Sequence, residues 1–351
     1  MARKIAVPNI EELEKETPLS DITHQLDQKI PSISVYGCGG CGINIVKKLL
    51  EKQPTFDIDI KYSVIDTSLA NTSQLPKICT VHSIGELGSG KDRSKNLQAI
   101  MKYLDNRKSL VTEASDITFL VFSMAGGSGS VIAPLFAHRL LRHSNRAVVL
   151  VGVVDSSSKR DCLNSILTLK SLSKLAEENK YYLPLMLYSN MEVGRVQVNN
   201  SIVVRLIEML DLLTNKSITE LDYTDKMLYL RPSVGSAPNG IYLLLVSETE
   251  PDKSQDLPGE MSLFLDEGDY VHAALIVNDT GCCPRVLTNI TYVGISDHKK
   301  FYSTIGAVIP AEIINELNET AERYKRNEKP TDQTEKHFEA FGQDGASGLV
   351  F

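Results

Sequence analysis

Two glycine-rich turns contain the residues of this chain that are best suited to hold a phosphate. The first is Gly37-Cys38-Gly39-Gly40-Cys41-Gly42, and the second is Gly126-Gly127-Ser128-Gly129-Ser130. Glycine lets backbone N–H groups crowd against phosphate oxygens, and the positive end of a following helix favours their negative charge. We therefore predict two anion-binding loops and expect a nucleotide as the ligand.

An acidic segment runs from Glu220 to Asp225. Asp222 and Asp225 lie at positions i and i+3, which places both carboxylates on one side of a helical turn. Two carboxylates beside a phosphate can orient water, accept its proton or hold a magnesium-bound water. Acidic residues are also favoured in the first turn of any helix, so a helix N-terminus without catalytic use is the alternative.

The elements that must position these residues follow from the apolar pattern. Strands are predicted at 33–36, 58–65, 117–122 and 147–154, and a helix is predicted at 43–52. Continuous Val, Ile and Leu runs of this kind are typical of strands that are buried on both faces of a parallel sheet. The predicted fold class is therefore α/β, with a Rossmann-like parallel sheet that carries both glycine turns.

The rest of the chain is predicted to add a long helix and a smaller α+β domain. Strand-like runs occur at 240–247, 271–278 and 286–295, and a final helix is predicted at 311–325. The predicted organisation is an N-terminal extension at 1–30, a nucleotide domain at 31–194, a core helix at 195–213, an α+β domain at 214–325 and a flexible tail at 326–351.

Composition narrows the class of protein and its partners. Hydrophobic residues make up 42% and charged residues 23% of the chain, and no apolar stretch is long enough to span a bilayer. The net charge of −7, with no basic stripe, argues against direct nucleic-acid binding. The pairs Cys38-x-x-Cys41 and Cys282-Cys283 suggest zinc or redox chemistry only weakly, and reduced thiols are the preferred interpretation.

The two glycine turns together make the chain resemble the tubulin/FtsZ superfamily over about residues 31–325. Gly37 to Asn44 is similar to the family's first phosphate loop, and Ala125 to Val131 is similar to its signature loop. The Gly-Gly-Ser-Gly-Ser-Val form of the second loop most resembles bacteriophage-encoded tubulins of the PhuZ type. The resemblance implies a parallel-sheet GTPase domain, a long core helix and a smaller C-terminal α+β domain.

The resemblance also implies a set of contacts to GTP or GDP and Mg²⁺. The implied phosphate-binding residues are Gly39, Gly40, Cys41, Gly42, Asn44, Gly126, Gly127, Ser128, Gly129 and Ser130. Asp66 and Thr67 correspond to another loop of the family, which lies between the two glycine turns in sequence and near the phosphates and the metal. Asp66 is the implied metal ligand. Gly88, Ser89 and Gly90 correspond to the loop over the γ-phosphate, with Lys91 or Arg93 as a counter-charge.

Contacts to the sugar and the base are implied by the same likeness. Asp155 corresponds to the ribose ligand, while Asn190 and Asn199 correspond to two asparagines that read guanine. A side-chain amide suits the Watson–Crick edge of guanine because it offers both a donor and an acceptor. A one-residue shift of the alignment would substitute Asn200 for Asn199. Arg195 stands where relatives have an aromatic residue that stacks on the base, and its guanidinium plane can take that place.

Catalysis in the resembled family is shared between subunits. The resemblance makes Asp225, and then Asp222, the carboxylates that a neighbouring copy inserts beside the γ-phosphate, while Glu220 replaces a usual asparagine. It implies head-to-tail filaments, a C-terminal tail that binds the next subunit, and hydrolysis of GTP inside the polymer. The implied setting is the cytoplasm of a phage-infected bacterium, where such filaments position the phage DNA compartment.

Two other functions remain open on the sequence alone. An acidic residue about 20 positions after a glycine loop also binds the ribose of NAD, so Gly37 to Gly42 with Asp66 could belong to an NAD(P)-dependent oxidoreductase. Glu220 and the altered loops are compatible with a tubulin-like polymer that binds nucleotide without hydrolysing it.

Overall fold

The computed structural model describes residues 29–68, 70–85, 88–142, 146–191, 193–216, 222–231, 240–247, 257–261, 302–307 and 310–327. Several predicted features lie outside the described residues. They are most of the N-terminal extension, the strands predicted at 271–278 and 286–295, Glu220, Cys282-Cys283 and the tail after residue 327.

The described strands form one sheet. They are β1 (Ile33–Cys38), β2 (Lys61–Asp66), β3 (Thr80–Ser83), β4 (Ile117–Ser123), β5 (Ala147–Val154), β6 (Tyr182–Ser189), β7 (Gly240–Ser247) and β8 (Tyr302–Ala307). Their order across the sheet is β3-β2-β1-β4-β5-β6-β7-β8. Strands β1 to β7 pair in parallel, and β8 is antiparallel to β7. The prediction of an α/β fold with a parallel sheet is confirmed.

Helices cover both faces of this sheet. They are α1 (Gly39–Glu51), α2 (Leu97–Asn106), α3 (Ser109–Thr112), α4 (Gly129–Leu141), α5 (Lys159–Asn179), α6 (Arg195–Thr214), α7 (Tyr223–Leu230) and α8 (Pro310–Asn327). Helices α1, α6 and α7 pack on one face, and α2 to α5 with α8 pack on the other. Every residue of β5 is therefore buried, as its unbroken Ala-Val-Val-Leu-Val-Gly-Val-Val sequence requires.

The long helix predicted at 195–213 is present as α6. Its apolar stripe is fully buried, with relative exposures of 0% for Val198, Ile202, Leu206, Met209 and Leu213. A buried side chain of this size stabilises the folded chain by about 1.5–3 kcal/mol, so the stripe fixes α6 firmly against the sheet. The first residue of α6, Arg195, is thereby placed at the edge of the sheet where β6 ends.

The sheet continues past the boundary predicted at residue 194. Strand β7 pairs in parallel with β6 through Leu183↔Ile241 and its neighbours, and β8 extends the sheet further. Gly240–Ser247 therefore lies in the same sheet as the nucleotide half of the chain. The division into domains stays a prediction, because most of 248–301 lies outside the described residues.

Candidate functional site

A cleft of about 230 Å³ opens at the carboxyl ends of β1, β2 and β4. Both predicted glycine loops line it, because each loop directly follows one of these neighbouring parallel strands. The lining residues are Cys38, Gly39, Gly40, Cys41, Asp66, Thr67, Ser68, Asn71, Gly88, Ser89, Lys91, Ser123, Gly126, Gly127, Ser128 and Gly129. Ligands of parallel α/β sheets bind at this edge, so the structure brings the predicted phosphate-binding segments together.

The two glycine loops touch each other through their backbones. A Cβ atom on Gly39, which has φ of +70°, would lie 2.7 Å from the backbone N of Gly129, and a Cβ on Gly129 would lie 2.5 Å from the Cys38 carbonyl oxygen. Gly42 is equally constrained, since its Cβ would lie 2.1 Å from the Val121 carbonyl oxygen. A side chain at Gly39 or Gly129 would push the two loops apart, and a side chain at Gly42 would push α1 away from β4.

Gly126 differs from those three glycines. A Cβ atom there would make only ordinary contacts, the nearest at 3.7 Å from the Ser123 carbonyl oxygen, so packing does not require glycine at this position. Helices α1 and α4 both begin at these loops, and neither N-cap residue, Cys38 or Ser128, caps the first turn with its side chain. First-turn N–H groups without a side-chain cap can donate to a bound anion.

Asp66 ends β2 beside the second glycine loop. Its carboxylate accepts a hydrogen bond of 2.7 Å from the Thr67 N–H, and the Thr67 hydroxyl lies 2.7 Å from the Ser128 hydroxyl. Burial raises the pKa of Asp66, while the hydrogen bonds from Thr67 and Ser128 offset part of that rise. Asp66 and Thr67 therefore form one wall of the cleft.

The loop that contains Gly88, Ser89 and Gly90 packs directly on the second glycine loop. A Cβ atom on Gly127 would lie 2.2 Å from the Ser89 hydroxyl oxygen, and both Gly88 and Gly90 have positive φ, at +82° and +60°. Lys91 is among the residues that line the cleft, and its ammonium donates to the Asp161 carboxylate at 2.6 Å and 2.8 Å. The Arg93 guanidinium instead reaches the Ser130 carbonyl and the Ser171 hydroxyl, each at 3.4 Å, and burial lowers its pKa to about 10.

A second polar group lies where β5 and β6 end. Arg195 donates a hydrogen bond of 2.9 Å to Asp155, and the Asn190 amide lies 3.5 Å from the same carboxylate. Burial would raise the pKa of Asp155, but the hydrogen bonds from Ser157 and the charge of Arg195 hold it below its usual value. Asn190 Oδ1 is buried and has no hydrogen-bond partner among the described residues. Buried acceptors are normally hydrogen-bonded, so this oxygen is free to accept a hydrogen bond from a ligand.

The two asparagines that the sequence could not distinguish have different surroundings. Asn200 is exposed and accepts a hydrogen bond of 2.8 Å from Lys48 on α1. Asn199 is half-buried. Asn44, which the resemblance places among the phosphate contacts, is exposed on α1 and does not line the cleft.

The cleft also contains residues that the sequence pattern did not indicate. Asn71 lies over the first loop, with its Nδ2 2.8 Å from the position of a Gly40 Cβ, and Ser68 and Ser123 complete the wall. Ser68 and Asn71 stand in an irregular segment and Ser123 ends β4, and none of the three belongs to a motif. Burial raises the pKa of the Cys41 thiol to about 12, and the described residues contain no cluster of three metal-binding side chains, so nothing there favours zinc or redox chemistry.

The acidic pair lies at the opposite edge of the sheet. Asp222 caps α7 by accepting a hydrogen bond of 2.8 Å from the Asp225 N–H, and Asp225 accepts one of 3.2 Å from the Asp222 N–H. The start of α7 contacts residues just before strands begin: Tyr223 interacts with Asp116, which precedes β4, and with Lys29. Burial raises the pKa of Asp225, and the neighbouring Asp222 charge adds to that rise, against the hydrogen bond that Asp222 contributes.

The separation of the two sites follows from the strand length. Strand β4 has 7 residues, and the acidic pair lies at its amino end while the second glycine loop follows its carboxyl end. At about 3.3 Å per residue, the two sites of one chain are about 20 Å apart. The structure therefore brings the predicted phosphate contacts together but does not bring Asp222 and Asp225 to them within one chain.

Comparisons with known proteins agree with this geometry. Residues 32–185 match the model described as Tubulin/FtsZ family, GTPase domain. The chain is 27% identical over 249 residues to the phage tubulin-like protein of Pseudomonas phage 201phi2-1, covering 66% of this chain and 73% of that protein. It is 25% identical over 247 residues to cell division protein FtsZ 2 of Halobacterium salinarum, covering 64% of this chain but only 57% of that protein.

Solved structures of phage tubulins have the same fold. The protofilament of TubZ from Bacteriophage PhiKZ superposes with a TM-score of 0.66 at 20% identity, covering 86% of this chain and 94% of that chain. The phage tubulin PhuZ in its GDP form gives 0.63 at 18% identity, covering 86% and 95%.

The sheet topology and the glycine-lined cleft define an α/β fold of the kind that binds ligands at the carboxyl ends of its parallel strands. Residues 32–185 match the GTPase domain of the Tubulin/FtsZ family, and the described part of the chain has the fold of the phage tubulins. The prediction of family and fold made from the two glycine turns is confirmed. The match to a GTPase domain gives no support to the NAD(P)-dependent alternative. Among the described residues, no helix is long and apolar enough to cross a membrane.

Proposed function

We propose that this protein is a phage tubulin that binds GTP, assembles head-to-tail and hydrolyses GTP at the contact between subunits. The observation that carries the proposal is the placement of the glycine-lined cleft and of the Asp222–Asp225 pair at opposite edges of one parallel sheet. A second copy stacked along the strand direction, with the amino ends of its strands facing this cleft, would bring its acidic pair to the phosphates. Such a contact is heterologous, so it propagates as a filament.

The residues of the cleft suit a nucleotide with Mg²⁺. The uncapped first turns of α1 and α4 would hold the phosphates, and the unpartnered Asn190 Oδ1 would accept from a base N–H. Mg²⁺ is commonly bound by one or two carboxylates together with substrate phosphates and water, and Asp66 offers one carboxylate. The metal would therefore depend on the phosphates for most of its coordination.

The cellular role belongs to the same proposal. Filaments of this protein would act in the cytoplasm of the infected bacterium and position the phage DNA compartment, and the chain segment after Asn327 would bind the neighbouring subunit. Fluorescence imaging of the tagged protein in infected cells tests the location. Removal of residues 328–351 is expected to raise the critical concentration for assembly, and an unchanged value would exclude the tail from the contact.

Light scattering with GTP, GDP and NADH separates the candidate functions. GTP is expected to trigger polymer at tens of micromolar protein, roughly the range in which contacts of this strength are detectable. Phosphate release then distinguishes a hydrolysing polymer from one that only binds nucleotide. NADH binding without GTP-driven assembly would overturn the proposal.

Asn190 and Asn199, the two asparagines proposed to bind the base, give a quantitative prediction. Asn190→Ala and Asn199→Ala are each expected to weaken GTP binding about 10-fold, because each removes hydrogen bonds worth about 1–1.5 kcal/mol. Asn200→Ala is the matched control, since that side chain is engaged with Lys48, and it is expected to stay within about twofold of the parent. Calorimetric titration measures all three. The reverse ranking of Asn199 and Asn200 would assign base recognition to Asn200.

A further inference from the structure

A buried lysine lies directly behind the acidic pair. Lys226, on α7, is only 3% exposed, whereas Asp222 is exposed and Asp225 is half-buried. Lysine is almost never this deeply buried in a protein unless it is paired. Burial of an ammonium costs free energy, so the apolar packing of α7 does not explain why a lysine stands here.

The helix places this lysine on the same face as Asp222. The two residues are at positions i and i+4 with the acid toward the N-terminus, which is the favourable order for an ion pair on a helix. The Lys226 N–H donates to the Asp222 carbonyl at 3.1 Å, so the helical turn between them is formed. The second carboxylate that attracts the ammonium is Asp57, which precedes β2 and accepts a 2.7 Å hydrogen bond from the Lys216 N–H. Strand β5, against which α7 packs, contains only apolar residues, so Asp222 and Asp57 are the charges that act on Lys226.

The acidic pair benefits from a positive charge because its two carboxylates are close together. Each carboxylate accepts a hydrogen bond from the backbone N–H of the other residue. Burial raises the pKa of Asp225, and the charge of Asp222 raises it further. A carboxyl group that holds its proton cannot act as a general base, and two carboxylates are also repelled by a triphosphate. A buried ammonium opposes both effects strongly, because little water screens its charge.

We propose that Lys226 is a positioning residue for GTP hydrolysis: its charge offsets the repulsion between Asp222 and Asp225 and holds them side by side at the subunit contact. The proposal rests on the function proposed above. Lys226 is buried and does not line the cleft, so it acts through the two carboxylates.

Turnover and nucleotide affinity test this role first. Lys226→Met keeps the length of the side chain and removes its charge. It is expected to lower GTP turnover about 10-fold, because small displacements of catalytic groups cause large losses in rate. GTP binding is expected to stay at the parental value, since the cleft is unchanged. Phosphate release per polymerised subunit measures turnover, and calorimetric titration measures binding.

Urea unfolding near neutral pH separates positioning from support of the fold. Burial lowers the pKa of Lys226 to about 8, although the charges of Asp222 and Asp57 oppose that shift. The unfolded chain therefore binds this proton more tightly than the folded chain, and the charged lysine disfavours the folded state until the pH rises above about 8. Lys226→Met is thus expected to unfold at the same urea concentration as the parent or a higher one. A lower midpoint together with lower turnover would make Lys226 a structural residue and overturn the proposal.

The pH dependence of turnover gives an independent readout. Parental turnover is expected to fall above about pH 8 as Lys226 loses its proton, whereas Lys226→Met is expected to be slow throughout and to show no such fall. Lys226→Arg is expected to recover most of the rate and to keep it in alkaline buffer, because a guanidinium stays charged there. The same alkaline fall in the parent and in Lys226→Met would contradict the assignment.

Mixed filaments show which cleft depends on the lysine. Lys226→Met subunits loaded with γ-labelled GTP are expected to release label at the parental rate in an excess of parental subunits, because the neighbour supplies an intact acidic pair. Labelled parental subunits in an excess of Lys226→Met are expected to release it slowly. The reverse result would place the effect in the lysine's own cleft and overturn the proposal.

The controls distinguish failure of this proposal from failure of the proposed function. Lys102→Met removes an exposed lysine from α2, and it is expected to leave turnover and its pH dependence unchanged. A parent protein that does not hydrolyse GTP would overturn the proposed function and this proposal with it. A parent that hydrolyses GTP, with Lys226→Met at the parental rate, would overturn only the assignment of Lys226.

Discussion

Asp225→Asn is expected to lower GTP turnover at least 100-fold while leaving GTP binding and filament formation intact. A positioned general acid or base contributes about 10²- to 10⁴-fold to a rate, and the amide cannot accept the proton. The substitution keeps an oxygen that can accept the Asp222 N–H, so the start of α7 is preserved. Phosphate release measures turnover, and light scattering measures filament formation. Filaments of the variant are expected to persist for longer than filaments of the parent, which disassemble once their GTP is consumed.

The control for this variant is a carboxylate that belongs neither to the cleft nor to the acidic pair. Glu319 is 71% exposed on α8, and Glu319→Gln is expected to hydrolyse GTP at the parental rate. Parental turnover in Asp225→Asn would remove Asp225 from the catalytic assignment and leave Asp222 to be tested in the same way.

A single-turnover experiment tests whether the carboxylate acts on a neighbouring subunit. Asp225→Asn protein is loaded with γ-labelled GTP and mixed with parental subunits and an excess of unlabelled GTP. Label is expected to be released on mixing, because the parental neighbour supplies Asp225 about 20 Å away from its own cleft. No release above that of the variant alone, in filaments that contain both proteins, would contradict a site shared between chains.

The glycine-lined cleft could be predicted from the sequence because it depends on local backbone chemistry. Gly39 and Gly129 are required where two loops touch, and the strands before them are continuous apolar runs. Such features are encoded within a few residues. The position of the acidic pair at the opposite edge is instead a consequence of topology, and no spacing in the chain reveals it.

Other parts of the site could not be predicted because they depend on contacts between distant segments. The Lys91–Asp161 ion pair joins residues that are 70 positions apart, and the sequence left Lys91 and Arg93 equivalent as counter-charges. Packing separates them, since Arg93 is turned toward Ser130 and Ser171. The continuation of the sheet into Gly240–Ser247 was hidden for the same reason, because strand pairing beyond α6 is not a local property.

A buried ion-pair network between α6 and the segment 257–261 is a feature of the same long-range kind. Arg205 contacts both carboxylate oxygens of Glu260, at 2.8 Å and 3.0 Å, and Glu208 at 2.9 Å. The exposed fractions of the three side chains are 5%, 2% and 12%. Burial would lower the pKa of Arg205, but the two carboxylates raise it above its ordinary value, so the guanidinium stays charged.

The network fixes a segment that packs against both β6 and the core helix. The Ser189 N–H donates to the Gly259 carbonyl at 2.7 Å, and the Met261 N–H donates to the Leu187 carbonyl at 3.0 Å. The Ser201 hydroxyl on α6 donates to the Pro258 carbonyl at 2.9 Å. Arg205 therefore joins α6, which begins at Arg195, to the segment 257–261, which follows β7 in the chain.

Arg205→Met is expected to destabilise the protein by about 3–5 kcal/mol, because it removes the cation that is paired with the buried Glu260 carboxylate. Urea unfolding followed by circular dichroism measures the shift in midpoint. Arg323→Met is the matched control: Arg323 and Glu319 form an ion pair with 70% and 71% exposed side chains, and its loss is expected to cost less than about 1 kcal/mol. The double variant Arg205→Met with Glu260→Met is expected to recover part of the loss, because a buried pair can be replaced by apolar groups at little cost. A loss in Arg205→Met no larger than in Arg323→Met would mean that water reaches the network and that it does not hold α6 to the segment after β7.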